Sequence, residues 1–266
     1  MSDETVIRED VEKYYDEHIT GKLTGFIDGN PRNDAAWDTL ISHLSSPPQT
    51  ILEIGCGIGD MSFKMHQHFP EAKITGLDIS PKSIEIANRL FSSGQVDFVA
   101  GILDDEVFAG KKFDLIVLFD VYEHIPNEIR ASFDRTLNNI LSDTGIIFLA
   151  FPTPQFQTFL KQHSPELIQP VDEDIDVHTI ASLAAATNTN VIIYKEVKVW
   201  RQGDYAHAFL RKADKQWGGA VPLGSISVRI KRGISKVIRN NGFISARKSR
   251  IALVRKKLGD IIPNKF

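Results

Sequence analysis

Thr50-Ile51-Leu52-Glu53-Ile54-Gly55-Cys56-Gly57-Ile58-Gly59-Asp60 decides how this chain is read. An apolar run ends in three glycines at alternate positions, and a helical pattern (Met61, Phe63, Met65, His66, Phe69) follows. Nineteen residues after Gly59, a second apolar run, Lys73-Ile74-Thr75-Gly76-Leu77, ends in Asp78. The pattern predicts strand, tight glycine turn, helix, strand, acid. The missing side chains let a ligand lie against the backbone at a helix N-terminus. An acid at the tip of the next strand is placed to bind two adjacent ribose hydroxyls. The stretch reads as a nucleoside-cofactor site.

The spacing selects the cofactor. A dinucleotide fold favours G-x-G-x-x-G, because the pyrophosphate needs the helix N-terminus and the third glycine permits close helix–strand packing. Here the spacing is G-x-G-x-G, with Glu53 before it and Asp60 directly after it. Two carboxylates beside the loop would repel a pyrophosphate but suit a cationic ligand with an amino group and a sulfonium.

At these residues the chain resembles the class I S-adenosylmethionine-dependent methyltransferases. Glu53 to Gly59 matches that family's first motif, and Leu77-Asp78-Ile79-Ser80 its acidic second-strand end. Phe113 to Ile125, with Asp120-Val121-Tyr122-Glu123-His124, looks like its fourth-strand motif. The resemblance covers roughly residues 48–212. It implies an α/β, Rossmann-like, mostly parallel sheet with helices on both faces and a late antiparallel strand pair. It implies S-adenosyl-L-methionine as cofactor, held by Glu53, Gly55, Cys56, Gly57, Gly59, Asp78 and Ile79, with Phe119 and Asp120 near the methionine end. The family usually places an acid soon after the third strand to receive the adenine amino group. In Ala100-Gly101-Ile102-Leu103-Asp104-Asp105, Ile102 occupies that position and Asp104 comes two residues later. The adenine neighbours are therefore taken as Ile102, Leu103 and Asp104.

Composition is that of an ordinary globular protein of 266 residues, long enough for one domain with appendages. Cys56 is the only cysteine, which excludes an internal disulfide and a thiolate zinc cluster. Within the glycine loop a small packing residue is the expected reading of it, rather than thiol chemistry. The acidic start, Met1-Ser2-Asp3-Glu4, does not read as a signal peptide, and apolar runs are strand-sized. The default expectation is the cytoplasm. The overall charge of −3 hides an asymmetry: residues 225–266 carry twelve Lys/Arg against Asp260 alone, a net of +11, leaving −14 for residues 1–224.

Residues 1–47 are expected as an N-terminal helical cap. A helix over 5–20 carries Tyr14 and Tyr15, which would close over the cofactor or substrate or else serve as core staples. A loop with Gly21, Gly25 and Gly29 follows, then a second helix starting at Asn33 or Asp34. The core, 48–212, alternates strands and helices, which implies a covered parallel sheet. Its late pair is expected at Val191–Val199 and Ala206–Leu210. Phe151–Asp176, with four prolines, is too long for a simple connection and is read as a cover over the strand ends. Residues 213–266 are expected as a basic helical tail, with apolar residues at Ile230, Ile234, Val237, Ile238 and at Ile251, Val254, Leu258, Ile261. Such helices can lie on an anionic membrane surface or on nucleic acid, or pack on the acidic core or a second subunit.

Methyl transfer is an in-line displacement at carbon, so the protein must align the nucleophile and exclude water. A hydroxyl nucleophile also gains about 10²–10⁴-fold from a general base. His124, after the fourth strand, is the first choice for that base; the alternative is that it caps or packs the next helix. His178 and His207 could face the substrate, although lone histidines at such places are more often structural. Asp172-Glu173-Asp174-Ile175-Asp176 reads as helix N-terminal decoration rather than a metal site, and no metal is predicted. The fourth motif lacks the Asn/Asp-Pro-Pro-aromatic run of base methyltransferases, which argues against nucleic acid. The expected reaction moves a methyl group to a hydroxyl of a small molecule or glycan, lipid-linked if the tail meets a membrane. The alternatives are N-methylation of a small amine, or a binding protein with a vestigial site.

Overall fold

The computed structural model describes residues 18–212 and 243–259. The expected features at Tyr14, Tyr15, Ile230 to Ile238 and Ile261 lie outside the described residues.

The predicted strand, turn and helix form as β1 (Thr50–Ile54), the glycine turn and α3 (Asp60–His68), with β2 (Lys73–Asp78) beyond. Before them stand α1 (Ile19–Asp28) and α2 (Pro31–His43). After them come α4 (Pro81–Phe91), β3 (Val96–Ala100), β4 (Phe113–Phe119), α5 (Asn127–Ile140) and β5 (Leu141–Pro152). The chain continues through α6 (Pro154–His163), α7 (Val177–Ala186), β6 (Thr189–Val197), β7 (Tyr205–Lys212) and α8 (Phe243–Leu258).

The seven strands form one sheet in the order β3-β2-β1-β4-β5-β7-β6. β1 to β5 run parallel, and β7 is antiparallel to both β5 and β6. Both faces of the central strands are buried, so their alternate residues feed opposite layers, while β6 at the edge is largely exposed. Ile51, Leu115, Val117, Phe148 and Phe209 pack under α1, α2, α3, α4 and α8. Leu52, Ile54, Ile116, Leu118, Ile147 and Leu149 pack under α5 and α7. Strand order reverses between β2 and β4 around β1. The crevice beyond the strand ends at such a reversal is where open α/β sheets bind ligands. The glycine turn after β1 and the segment after β4 both end there.

Two expectations about the first 47 residues are corrected. Gly21 and Gly25 lie inside α1 rather than in a loop, and a Cβ at either would meet nothing within 4 Å. Each glycine costs a helix about 1 kcal/mol. Burial of Leu23, Phe26 and Ile27, about 1.5–3 kcal/mol each, outweighs it. α2 starts three residues before the expected caps, because Asn30 Oδ1 accepts the Arg32 amide at 3.1 Å and Pro31 takes the first helical position. Leu40 and Trp37 of α2 sit in the same core layer as the sheet.

Phe151–Asp176 is also not a plain loop: it holds α6 and a short 3-10 turn at Pro165–Leu167, then an irregular stretch. That stretch crosses the segment after β4, where the Glu173 amide donates to Glu123 O at 2.8 Å. Its acids serve local structure. Asp172 Oδ2 accepts the Gln169 amide, Glu173 Oε2 accepts from Asn127 Nδ2, and Asp176 caps α7 through the Thr179 amide. In the tail, α8 packs on α1 and α4 with Val254 and Leu258 buried. Arg247 Nε lies 2.6 Å from Asp28 Oδ1, and Arg250 Nη1 donates to Phe26 O at 3.1 Å. No helix among the described residues is long and apolar enough to cross a membrane.

Candidate active site

The glycine turn is built from three left-handed residues, Gly55 (φ +71°), Gly57 (φ +54°) and Gly59 (φ +83°). The turn also brings neighbours too close for side chains. A Cβ on Gly55 would stand 2.2 Å from Val121 Cγ2, and one on Gly59 2.6 Å from the Phe98 ring. The Gly55 and Cys56 amides both donate to Leu77 O, tying the turn to the end of β2. There Asp78 Oδ2 accepts the Gly57 amide at 2.7 Å and Oδ1 the Ser80 amide at 2.9 Å. Each oxygen keeps a second lone pair, so the fixed carboxylate retains capacity for a ligand diol. Ile79 is half-buried beside it.

Carboxylates crowd this corner. Glu53 is buried on β1, where alternation would place an apolar residue, and Ser62 Oγ donates to its Oε2. Burial pushes the Glu53 carboxyl well above its ordinary value; the Ser62 bond opposes this, and the nearby Asp60 and Asp78 add to it. Burial also raises Asp60, against the hydrogen bond from Asn33 Nδ2 at 3.1 Å. Such a pocket is relieved by a cation, which fits a ligand with an ammonium and a sulfonium. Cys56 is buried, and burial with Glu53 nearby holds its thiol well above the ordinary range, so it packs rather than reacts.

The adenine side is open. Ile102 is 41% exposed, with Leu103 half-buried next to it. Asp104, expected as an adenine contact, instead spends Oδ1 on the Glu106 and Val107 amides and caps its own turn. α1 leans over the turn: Lys22 Nζ donates to Ser83 Oγ at 3.0 Å, and its side chain passes 3.5 Å from where a Gly57 Cβ would be.

At the other end of the crevice, Phe119 is buried against Phe148, and Asp120 follows with φ 54°. A positive φ on a non-glycine residue is uncommon and gathers at functional sites. Asp120 Oδ2 pairs with Arg32 Nη1 at 2.9 Å, and that nitrogen also donates to the Tyr205 hydroxyl at 3.2 Å. Asp120 Oδ1 and Arg32 Nε are buried without a hydrogen-bond partner among the described residues. Burial, with Asp120 adding to it, pushes the Tyr205 hydroxyl up.

Glu123 is 1% exposed, and its Oε2 also has no partner among the described residues. Burial pushes its pKa up to about 8, against the pull of His124. His124 turns its ring toward the cover: Nδ1 lies 2.7 Å from Val171 O and 3.2 Å from Asp172 Oδ1, while Nε2 is 3.9 Å from Glu123 Oε1. Burial favours the neutral ring, but Glu123 and the bonds to Asp172 and Val171 prevail and raise it to about 9. The expected neutral imidazole at pH 7 is therefore not what this environment favours.

The other histidines stand apart. His207 is 0% exposed beneath α2, with Nδ1 2.8 Å from Thr39 Oγ1; burial lowers it to about 4. Its ring packs between Thr39 and Phe148. His178 is exposed on the first turn of α7. Arg32, Lys22, Tyr205 and Trp200 are residues of this site that local pattern did not single out. Only the stretch from Trp200 to His207, unusually rich in aromatic and polar residues, carried a signal.

A family model described as a methyltransferase domain matches residues 51–145. An uncharacterized protein of Rickettsia prowazekii is 25% identical over 210 residues, covering 65% of this chain and 83% of that protein. A malonyl-[acyl-carrier protein] O-methyltransferase of Anoxybacillus flavithermus is 37% identical over 79 residues, but the match covers 29% of this chain and only 30% of that enzyme. Among solved structures, magnesium protoporphyrin IX methyltransferase from Synechocystis PCC 6803 with bound SAH shares the fold. Its TM-score is 0.60 at 17% identity, covering 78% of this chain and 100% of that one. S-adenosylmethionine is the cofactor of this family. Residues 51–145 thus match a methyltransferase domain, and the sheet around them, with its motifs in register, has the fold of S-adenosylmethionine-dependent methyltransferases.

Proposed function

We propose that this chain moves a methyl group from S-adenosylmethionine to a hydroxyl oxygen of a small molecule or glycan. The observation that supports an oxygen acceptor is Glu123: a buried carboxylate with an unpartnered oxygen among the described residues, its pKa raised to about 8. Such a group is matched to taking a hydroxyl proton near neutral pH. An amine that arrives already neutral would need no such base.

The bound cofactor supplies an electrophilic methyl and a sulfur that keeps the electron pair of the broken bond. The Gly55–Gly59 turn gives it a surface free of side chains, Asp78 takes the ribose hydroxyls, and Ile79, Ile102 and Leu103 flank the adenine. Glu53 and Asp60 favour its positive charge. Val121 packs against Gly55, which brings the Asp120–Glu123 segment next to the glycine turn; in the proposed reaction Glu123 lies within reach of the acceptor. Glu123 Oε2 takes the acceptor's hydroxyl proton as the new carbon–oxygen bond forms. His124 acts on Glu123 and fastens the cover through Val171, which excludes water. The base form fills as pH rises, so the rate climbs between about pH 7 and 9.

A lipid-linked acceptor would be brought by the basic tail, of which α8 presents Lys248, Lys256 and Lys257 to solvent. Cosedimentation with anionic liposomes tests this part: replacing the three lysines by glutamate abolishes binding, and unchanged binding refutes it. The reaction is tested by incubating labelled S-adenosylmethionine with a fractionated extract of the source cells. Label released from the product by conditions that cleave ethers or esters but not amines supports the reading. Label on nitrogen refutes it.

A further inference from the structure

Beyond Asp120 the crevice is walled by aromatic rings that no part of the cofactor reading uses. Trp200 is 51% exposed, large for an aromatic of its size. Its ring stands 6.4 Å from Phe156 and 5.9 Å from Tyr205, and Phe156 lies 6.2 Å from Tyr205. The loop that presents Trp200 is held firmly. Asp204, buried, accepts the amides of Val199, Trp200 and Arg201 at 2.9, 2.7 and 2.8 Å. Thr153 Oγ1 donates to Gly203 O at 2.7 Å, fixing the loop to the start of α6. An exposed ring on a pinned loop is a preorganised stacking surface.

Charge sits against this surface. The Arg32 guanidinium lies 5.8 Å from the Trp200 ring centre and Arg201 lies 4.2 Å over Phe159. Arg32 spends Nη1 on Asp120 and Tyr205, which orients the plane of the group. Its Nε is left without a partner among the described residues. An oriented guanidinium with that edge open is suited to two parallel bonds to a carboxylate or phosphate.

We infer that this is the acceptor subsite, and that it takes a flat hydroxylated ring carrying an anionic group: the ring stacks on Trp200 and Arg32 binds the anion. The inference rests on hydroxyl methylation only for the choice of a hydroxylated ring.

The test titrates the full chain, saturated with S-adenosylhomocysteine, with 4-hydroxybenzoate, 4-hydroxyphenyl phosphate, phenol, glucuronate and inorganic phosphate. One or both anionic phenols should bind about 10–100-fold more tightly than phenol, the range of a charged hydrogen-bonded pair. Which of the two binds better tells carboxylate from phosphate. Arg32→Lys should abolish that preference, because it keeps the charge and loses the fork. Trp200→Ala, an exposed position that does not threaten folding, should weaken both phenols about equally. Equal binding of phenol and the anions overturns the anion assignment, as does a preference that survives in Arg32→Lys. Glucuronate or inorganic phosphate binding as tightly as the anionic phenols overturns the flat ring. Selective binding without methyl transfer supports the subsite and removes only the transfer reading; transfer without selectivity removes the subsite.

Discussion

Replacing Glu123 by glutamine separates the chemistry of this carboxyl from its place in the fold. The side chain is 1% exposed, so the amide keeps the volume and removes the ionisable group. Burial lifts the Glu123 pKa from 4.5 to about 8. Between those values the folded chain holds a proton that the unfolded chain has lost. The stability this confers is complete below about pH 4.5 and lost as pH rises through about 8. The same sign holds for His124, from 6.5 to about 9. Each unit of difference is worth about 1.4 kcal/mol, so the shift from 4.5 to about 8, in which the pull of His124 is already included, corresponds to something on the order of 5 kcal/mol for Glu123. Glutamine has no proton to lose, so Glu123→Gln should match the wild type near pH 4 and melt on the order of 10 °C higher near pH 9. Methyl transfer should fall about 10²–10⁴-fold. Thermal melts across pH, with label transfer at each, read both quantities. A variant that melts with the wild type at every pH and keeps its rate refutes the role of Glu123.

Other positions give independent readings. Gly59→Ala forces a Cβ to 2.6 Å from the Phe98 ring at a φ of +83° and should cost about 2–4 kcal/mol in a denaturant titration. Leu258→Ala, at 1% exposure on the buried face of α8, should cost about 2–4 kcal/mol; a neutral result would show that α8 does not belong to the core. His207 stays neutral down to about pH 4 in the fold, so the stability it contributes is present above about pH 6.5 and lost as pH falls toward 4. His207→Leu should flatten the acid side of the melting profile, and an unchanged acid slope would deny that role.

What the sequence made legible was local. The glycine turn, the acid on β2 and the apolar strand runs are read from spacing alone, because each is fixed by backbone geometry within a few residues. α1 was misread for the opposite reason. Its two glycines argue for a loop, and only the layer formed with α4, α8 and the sheet explains why it coils. The acceptor end was hidden because its parts come from three distant segments: Arg32 from α2, Asp120 after β4 and Tyr205 on β7. His124 was found by motif, but beside Glu123 its proton is also held by Val171 and Asp172, 47 and 48 residues later. Asp104 lies near the position expected of the adenine acid, and its Oδ1 holds its own turn through the Glu106 and Val107 amides.

The central claim is that the Gly55–Gly59 turn and Asp78 hold a nucleoside cofactor that is a cation. Calorimetric titration of S-adenosylmethionine into the full chain, wild type and Asp78→Asn, tests it most directly. In the variant one oxygen becomes a donor facing the amide of Gly57 or Ser80, and the ribose loses a charged partner. The wild type should bind S-adenosylmethionine at one site per chain, and a variant that still melts cooperatively should bind it at least about a hundredfold more weakly. No binding to the wild type, or equal affinity in Asp78→Asn, would contradict it.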